Sequence, residues 1–91
     1  GEWEFYDYEV SDDLYDGNGV DYVRLYFRKD KLHIQVDFNV SPDALEEYGP
    51  NDVYIRESMA DDYRRLEAKH FKPYGIDKLI EQYEPIAKIY M

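Results

Sequence analysis

The chain has 91 residues and a formal net charge of −10, with 21 acidic side chains against 11 basic ones. Direct contacts to phosphate need cations, so this balance argues against nucleic acid as a ligand. No apolar run approaches the roughly 18 residues that a membrane-spanning helix needs. Without cysteine there is no disulfide and no thiolate nucleophile or metal ligand. We therefore expect one small, soluble, cytoplasmic domain. Gly1 in place of an initiator methionine suggests a trimmed N-terminus, and the sequence does not say whether a segment is missing there.

Alternating apolar and polar residues predict strands in the first part of the chain. Residues 2–10 alternate imperfectly, residues 11–19 are rich in turn formers, and residues 20–40 alternate strictly. A tight turn at Lys29 and Asp30 would fold residues 20–40 into a hairpin with all its apolar side chains on one face. The predicted pairs are Val23 with Val36, Leu25 with Ile34 and Phe27 with Leu32.

The remaining residues predict helices. Ser41, Pro42 and Asp43 form a typical helix start, and Gly49 and Pro50 end that helix after Tyr48. A second helix would begin between residues 51 and 58, and a third would carry an apolar face up to a kink or restart at Pro85. The apolar face of the second helix would consist of Ile55, Met59, Tyr63, Leu66 and His70.

These elements predict one α+β domain over residues 1–91, with a three-stranded antiparallel meander in residues 2–40. Two or three helices in residues 41–91 would pack on one face of this sheet. The predicted core comprises Val23, Leu25, Phe27, Leu32, Ile34, Val36, Phe38, Met59, Leu66, Leu79 and Ile80.

An aspartate-rich loop is the first candidate for a ligand site. The stretch from Asp16 to Gly19 reads DGNG, as in many EF-hand loops, but the first and last ligand positions would be Leu14 and Leu25. An ordinary turn is the favoured interpretation. A weak cation site remains an alternative, and it would use Asp12, Asp13, Asp16 and Asp21. We predict no metal and no cofactor.

The polar face of the predicted hairpin is a second candidate. Its register would place His33, Gln35 and Asp37 beside Tyr26, Arg24 and Tyr22, respectively. A histidine beside tyrosine and arginine could act as a general base. No recognisable nucleophile lies nearby in sequence, so we predict that the protein is not an enzyme. Tyr22, Arg24, Tyr26 and His33 are instead predicted to form a secondary surface for protein contact.

The third candidate combines acidic side chains with tyrosine, of which the chain has eleven. Tyrosine is enriched in protein interfaces because it buries a ring and keeps a hydroxyl for hydrogen bonding. Clustered carboxylates on the predicted helices would attract a basic partner over long range. The predicted partner-binding residues are Tyr48, Tyr54, Glu57, Asp61 and Asp62.

Three stretches also suggest a family. They are KLHIQVDF at residues 31–38, DYRRLEAKHFKPYG at residues 62–75, interpreted as helical, and DKLIEQY at residues 77–83. From Lys31 onward the chain resembles the C-terminal part of the YezG-like family of bacterial immunity proteins. The resemblance implies a small acidic protein that binds and neutralises a toxin of the same bacterium, commonly a nuclease.

The sequence thus predicts an acidic protein-binding module, an immunity or inhibitor protein that occludes a basic site on its partner. It would be a monomer or a small homo-oligomer. Two alternatives remain open at this point. One is a structural component of a larger phage or secretion assembly. The other is a cation-binding domain or enzyme that uses the aspartate-rich loop together with His33.

Overall fold

The computed structural model describes residues 2–12 and 19–90. Its fold is α+β, as predicted, but the antiparallel sheet has five strands in the order β1-β2-β3-β4-β5 instead of three. The strands are β1 (Glu4–Asp12), β2 (Val20–Lys29), β3 (Leu32–Asn39), β4 (Asn51–Arg56) and β5 (Arg64–Leu66). The helices are α1 (Pro42–Tyr48), α2 (Phe71–Tyr74) and α3 (Ile76–Ala87), with short 3-10 turns at Ala68–His70 and Lys88–Tyr90.

The hairpin of β2 and β3 forms, but its predicted register is wrong by two residues. Phe27 lies opposite Ile34, and Lys29 is still paired with Leu32. The turn therefore consists of Asp30 and Lys31, and Asp30 adopts a φ of 56°. Aspartate tolerates this left-handed conformation, which permits a two-residue turn and a longer ladder. Because the shift is even, every apolar side chain keeps its predicted face.

The predicted second helix is wrong, since residues 51–56 and 64–66 are strands. Val53 lies opposite Val36, and Ile55 lies opposite Ile34. β4 alternates buried Val53 and Ile55 with the half-buried Tyr54, and β-branched side chains favour such a pleated surface. The spacing of Ile55, Met59 and Leu66 suggested a helix, but pairing with the free edge of β3 decides the structure. The sheet thus extends into the half of the chain predicted to be helical.

One face of the sheet forms the core, which is closed by α2 and α3. Ile76, Leu79 and Ala87 of α3 are buried in this core. The helix neither ends nor restarts at Pro85, which lies within its last turn. At one end of the molecule Trp3 Nε1 donates a hydrogen bond of 2.7 Å to the carbonyl oxygen of Tyr74. This bond ties the start of the chain to the helical segment near its end.

Most of the predicted core is confirmed. The buried members are Val23, Leu25, Phe27, Ile34, Val36, Phe38, Leu66 and Leu79, and Leu32 and Ile80 are partly buried against them. The prediction that Met59 belongs to the core is wrong, because its side chain is 68% exposed in the turn after β4. His70, predicted on the same apolar face, is exposed as well. The core residues that the helical interpretation missed are Val53 and Ile55 in β4.

The first helix follows the prediction closely. Ser41 Oγ accepts a hydrogen bond of 3.1 Å from the backbone N–H of Ala44, and Gly49 ends the helix with a φ of 79°. Ala44 is the buried residue of this helix, which leaves Leu45 and Tyr48 exposed. In the described parts of the chain no helix has the length and apolar character needed to cross a bilayer.

Alanine substitutions at Ile55 and Met59 test whether residues 51–59 form the observed strand and turn or the predicted helix. Ile55→Ala should lower the free energy of unfolding by about 2–5 kcal/mol, because it leaves a cavity in the core. Met59→Ala should change it by less than about 0.5 kcal/mol, because this side chain is exposed. Urea denaturation followed by circular dichroism measures both. Similar losses at the two positions would contradict the strand.

Candidate functional site

The face of the sheet opposite the core is the candidate site, and we call it the open face. Alternation along each strand turns the polar partners of the core residues toward it. Tyrosine and arginine dominate this face, together with one histidine and several carboxylates. The residues on the open face are Tyr22, Arg24, Tyr26, Arg28, His33, Gln35, Asp37, Asp52, Tyr54 and Arg56.

A buried ion pair lies at the centre of the open face. Arg24 Nε and Nη2 donate to the two carboxylate oxygens of Asp37, at 2.8 and 3.2 Å. Arg24 Nη1 also lies 3.3 Å from Glu9 Oε2, and its guanidinium stacks on the ring of Tyr22 at 4.8 Å. The bidentate contact follows from the register, which places Arg24 opposite Asp37. The arginine is therefore fixed in one orientation.

The pKa values of this pair have opposing causes. The hydrogen bond to Asp37 raises the pKa of Arg24, so its guanidinium stays charged. Burial raises the pKa of Asp37, and the hydrogen bond from Arg24 offsets part of that increase. The Asp37 carboxylate thus depends on the hydrogen bonds from Arg24 to remain ionised in a buried position.

A second group on the open face combines Tyr6, Arg28, His33, Arg56 and Tyr63, and we call it the tyrosine–arginine cluster. The hydroxyl of Tyr6 lies 3.3 Å from His33 Nδ1. The guanidinium of Arg28 lies 5.4 Å from the ring of Tyr6, and that of Arg56 lies 4.6 Å from the ring of Tyr63. Each aromatic ring therefore holds a neighbouring cation by a cation–π contact.

Tyr6 reaches this cluster because β1 contains a bulge. Phe5 lies opposite Phe27 and Asp7 lies opposite Tyr26, so Tyr6 is the additional residue between two paired positions. A bulge of this kind redirects a side chain and increases the local twist. The ring of Tyr6 packs 6.1 Å from Tyr26 as a result.

Burial favours the neutral forms of Tyr63 and His33. It raises the pKa of Tyr63 to about 12, and the hydrogen bond with the hydroxyl of Tyr6 adds to this increase. Burial also lowers the pKa of His33, and the charges of Arg56 and Arg28 lower it further. At neutral pH the cluster therefore offers hydroxyl groups and a neutral imidazole between two guanidinium groups.

Arg56 differs from the other arginines of the open face. Arg24 and Arg28 pair with carboxylates of β1, and Arg65 of β5 lies 3.4 Å from Asp52 Oδ1. Within residues 2–12 and 19–90, Arg56 forms no ion pair, and its buried Nε has no hydrogen-bond partner. Its Nη2 donates to Met59 Sδ at 3.2 Å, a weak acceptor. Among the arginines of the open face in the described part of the chain, Arg56 is therefore the one that no carboxylate neutralises.

All four residues of the predicted secondary surface lie on the open face. The structure brings Tyr22, Arg24, Tyr26 and His33 together there. Their predicted neighbours are wrong because of the register shift, since His33 lies opposite Arg28 and Asp37 lies opposite Arg24. The shift creates the bidentate ion pair, which the predicted register does not contain.

The predicted partner-binding residues divide into two groups. Tyr54 lies on the open face, and the loop after β4 carries Glu57, Asp61 and Asp62, all exposed. Glu57 Oε1 is already paired with Arg64 at 3.3 Å. Tyr48 lies at the end of α1, whereas the other four predicted residues lie in β4 or in the loop after it. The sequence predicts a helix for Glu57, Asp61 and Asp62, but these acids lie in a loop.

Sequence reasoning missed Tyr6, Arg56 and Tyr63 as members of the tyrosine–arginine cluster. The alternation of Tyr54 and Arg56 with buried Val53 and Ile55 is the signal that would have placed Arg56 on this face. The position of Tyr6 depends on the bulge, and that of Tyr63 depends on the loop between β4 and β5. Neither feature leaves a periodic pattern in the sequence.

The aspartate-rich loop is described only at its end. Asp21 is 5% exposed, and its backbone N–H donates to Ser11 Oγ at 3.2 Å. Asp13 and Asp16, and the side chain of Asp12, lie outside the described residues. Among the described residues, no three histidine, aspartate or glutamate side chains form a group suited to a metal ion.

Comparisons of the chain with protein-family models, with curated proteins and with solved structures found no match. The resemblance to YezG-like immunity proteins therefore stays a prediction.

Removing the guanidinium of Arg24 should destabilise the protein. Arg24→Met leaves the buried carboxylate of Asp37 without the hydrogen bonds that offset its burial, which should lower the free energy of unfolding by about 2 kcal/mol. Arg28→Met removes the cation of the exposed pair with Glu4 and should change this free energy by less than about 0.5 kcal/mol. Equal losses of stability in chemical denaturation would show that the pair of Arg24 and Asp37 stabilises the fold no more than the exposed pair of Arg28 and Glu4.

The lowered pKa of His33 predicts a pH dependence of stability. Between the lowered pKa and the ordinary value of 6.5 the unfolded state binds the proton first, so stability should decrease as pH falls through this window. His33→Asn should remove this contribution, whereas His70→Asn, which leaves His33 in place, should retain it. Thermal unfolding of the three proteins from pH 7 to pH 5 measures the difference. An unchanged slope in His33→Asn would contradict the prediction.

Proposed function

We propose that this protein is a non-enzymatic protein-binding module, an immunity or inhibitor protein that occludes a basic site on its partner. The observation that carries the proposal is the open face, where tyrosine and arginine side chains are held in place on a sheet. Tyrosine and arginine are the residue types that contribute most at the centres of protein interfaces. Fixed side chains also lose little conformational entropy when a partner binds.

The net charge of −10 supports a basic partner. Three of the arginines near the open face are neutralised by carboxylates, so the field around the protein is dominated by its excess acids. Such a field increases the rate of encounter with a positively charged surface and weakens as salt is added. Glu57, Asp61 and Asp62 lie exposed in the loop that follows Arg56 of the open face, where they would meet lysine and arginine of the partner.

The mechanism would be occlusion, with the partner's basic groups covered by the loop acids and its adjoining surface covered by the open face. Tyr26 and Tyr54 would be the aromatic anchors, and the terminal amino groups of Arg56, which no carboxylate of the described residues neutralises, would donate to an acceptor on the partner. We propose a cytoplasmic location for this interaction and a toxin or nuclease as the target.

A second candidate function is that of a structural component in a larger assembly. The exposed apolar side chains of Phe5, Tyr8 and Ile86 favour it, because contiguous apolar surface often marks a contact between subunits. This candidate predicts concentration-dependent oligomers in sedimentation, whereas the inhibitor predicts a monomer or a small oligomer.

An affinity capture from lysate of the source organism, eluted with increasing salt, tests the proposal. The wild-type protein should retain one basic protein stoichiometrically. The double variant Asp61→Asn with Asp62→Asn should release it at lower salt, and Tyr54→Ala should weaken binding at every salt concentration. The matched control is Asp77→Asn with Glu81→Gln, which removes the same charge from the exposed side of α3 and should behave like the wild type.

Two results would contradict the proposal. One is the capture of no basic protein. The other is an equal effect of the loop variant and the α3 variant, since net charge alone would then explain the binding.

A further inference from the structure

Among the described residues, the outer edge of β1 is the longest sheet edge without a partner strand. β1 (Glu4–Asp12) is paired on one side with β2 and is the first strand of the sheet. The opposite edge of the sheet belongs to β5, which has three residues. An unpaired edge presents backbone N–H and C=O groups that can accept another strand.

One hydrogen bond identifies which groups of β1 face outward. The backbone N–H of Tyr8 donates to its neighbour Asp7 Oδ1 at 2.8 Å, so it points away from β2. Backbone groups alternate sides along a strand, and the pairing is regular from Asp7 to Val10. The N–H and C=O groups of Tyr8 and Val10 therefore line the free edge.

The two sides of this edge differ in chemistry. On the open face Glu4 and Glu9 project beside the edge, and Asp7 adds a third carboxylate. On the core side, Phe5 and Tyr8 are 41% and 59% exposed. A groove of about 210 Å³ lies beside them, lined by Phe5, Tyr8, Val23, Leu25, Ile86 and Ala87.

We propose that the edge of β1 binds an extended segment of the partner by strand addition, and that this segment alternates basic and apolar residues. Its backbone would pair with Tyr8 and Val10, and its lysine or arginine side chains would lie beside Glu4, Asp7 and Glu9. Its apolar side chains would fill the groove beside Ile86. Recognition of this kind takes affinity from the backbone and specificity from alternate side chains. The inference rests on the proposed function in that it takes the partner to be basic.

Charge argues against a second copy of this chain as the occupant. β1 contains four acidic residues and no basic one. Pairing two such strands would place carboxylates opposite carboxylates, which is destabilising. A basic strand instead meets the carboxylate of Asp7 and shares Glu4 and Glu9 with Arg28 and Arg24 of β2. The carboxylate of Asp7 covers the N–H of Tyr8 in the free protein, and a lysine on the incoming strand would draw it away.

A capped synthetic peptide that alternates lysine and valine is the probe, and a peptide that alternates glutamate and valine is its control. Hydrogen exchange followed by NMR should show that the lysine peptide protects the amides of Tyr8 and Val10, and the glutamate peptide should not. Tyr8→Pro removes the outward N–H and is compatible with an edge strand. It should weaken peptide binding about tenfold relative to Tyr8→Ala, which removes only the ring.

Unchanged exchange at Tyr8 and Val10, or equal peptide affinity in Tyr8→Pro and Tyr8→Ala, would overturn strand addition. So would a dimer of the wild-type protein in sedimentation that Tyr8→Pro abolishes, since the occupant would then be a second copy. If Tyr8→Pro does not fold, the exchange experiment on the wild type decides alone.

The capture experiment separates this inference from the proposed function. A basic partner that Tyr8→Pro retains as well as the wild type would refute strand addition and leave the inhibitor proposal intact. Protection of β1 by the lysine peptide without any captured basic protein would refute the inhibitor proposal and support the edge as a binding site.

Discussion

Burial of a single face of the sheet is the constraint on which the structure depends. The chain is short, and the helix that contributes buried residues to the core, α3, has 12 residues. This is enough to close one side of a five-stranded sheet. The other side must be built from side chains that satisfy their polar groups at the surface. Tyrosine and arginine meet this requirement, because their apolar parts cover the backbone while their polar ends stay hydrated or paired.

The two faces also explain why the ion pairs are placed as they are. On a polar face without carboxylates the arginines would repel one another. Their side chains would also become ordered only when a partner binds, and this ordering would oppose binding. Here Arg24 is held by Asp37, and Arg28 and Arg65 are each held by one carboxylate. The open face is consequently ordered before any partner arrives. Arg56 is the exception, since its guanidinium is held by the ring of Tyr63 and by Met59 rather than by a carboxylate.

The sequence predicts the parts of the fold that have an unambiguous period. β2 and β3 alternate strictly, and the cap of α1 is formed by Ser41 as expected. β4 is different, because Ile55, Met59 and Leu66 also fit a helical spacing, and only the free edge of β3 resolves the ambiguity. The site follows the same rule. Tyr22 and Arg24 are placed correctly by alternation, whereas Tyr6 depends on a bulge and Tyr63 on a loop, which have no period to detect.

The strand order has a consequence for how the chain folds. Each strand pairs with its neighbours in sequence, so the sheet can grow by adding one adjacent strand at a time, and the longest connection is residues 40–50 between β3 and β4. The contact between Trp3 and Tyr74 is the opposite case, since it joins residues 71 positions apart. Once the sheet has formed, however, it spans the separation from Glu4 to Leu66, and this bond then closes only residues 67–74. The meander thus brings the two ends of the chain together before they make contact.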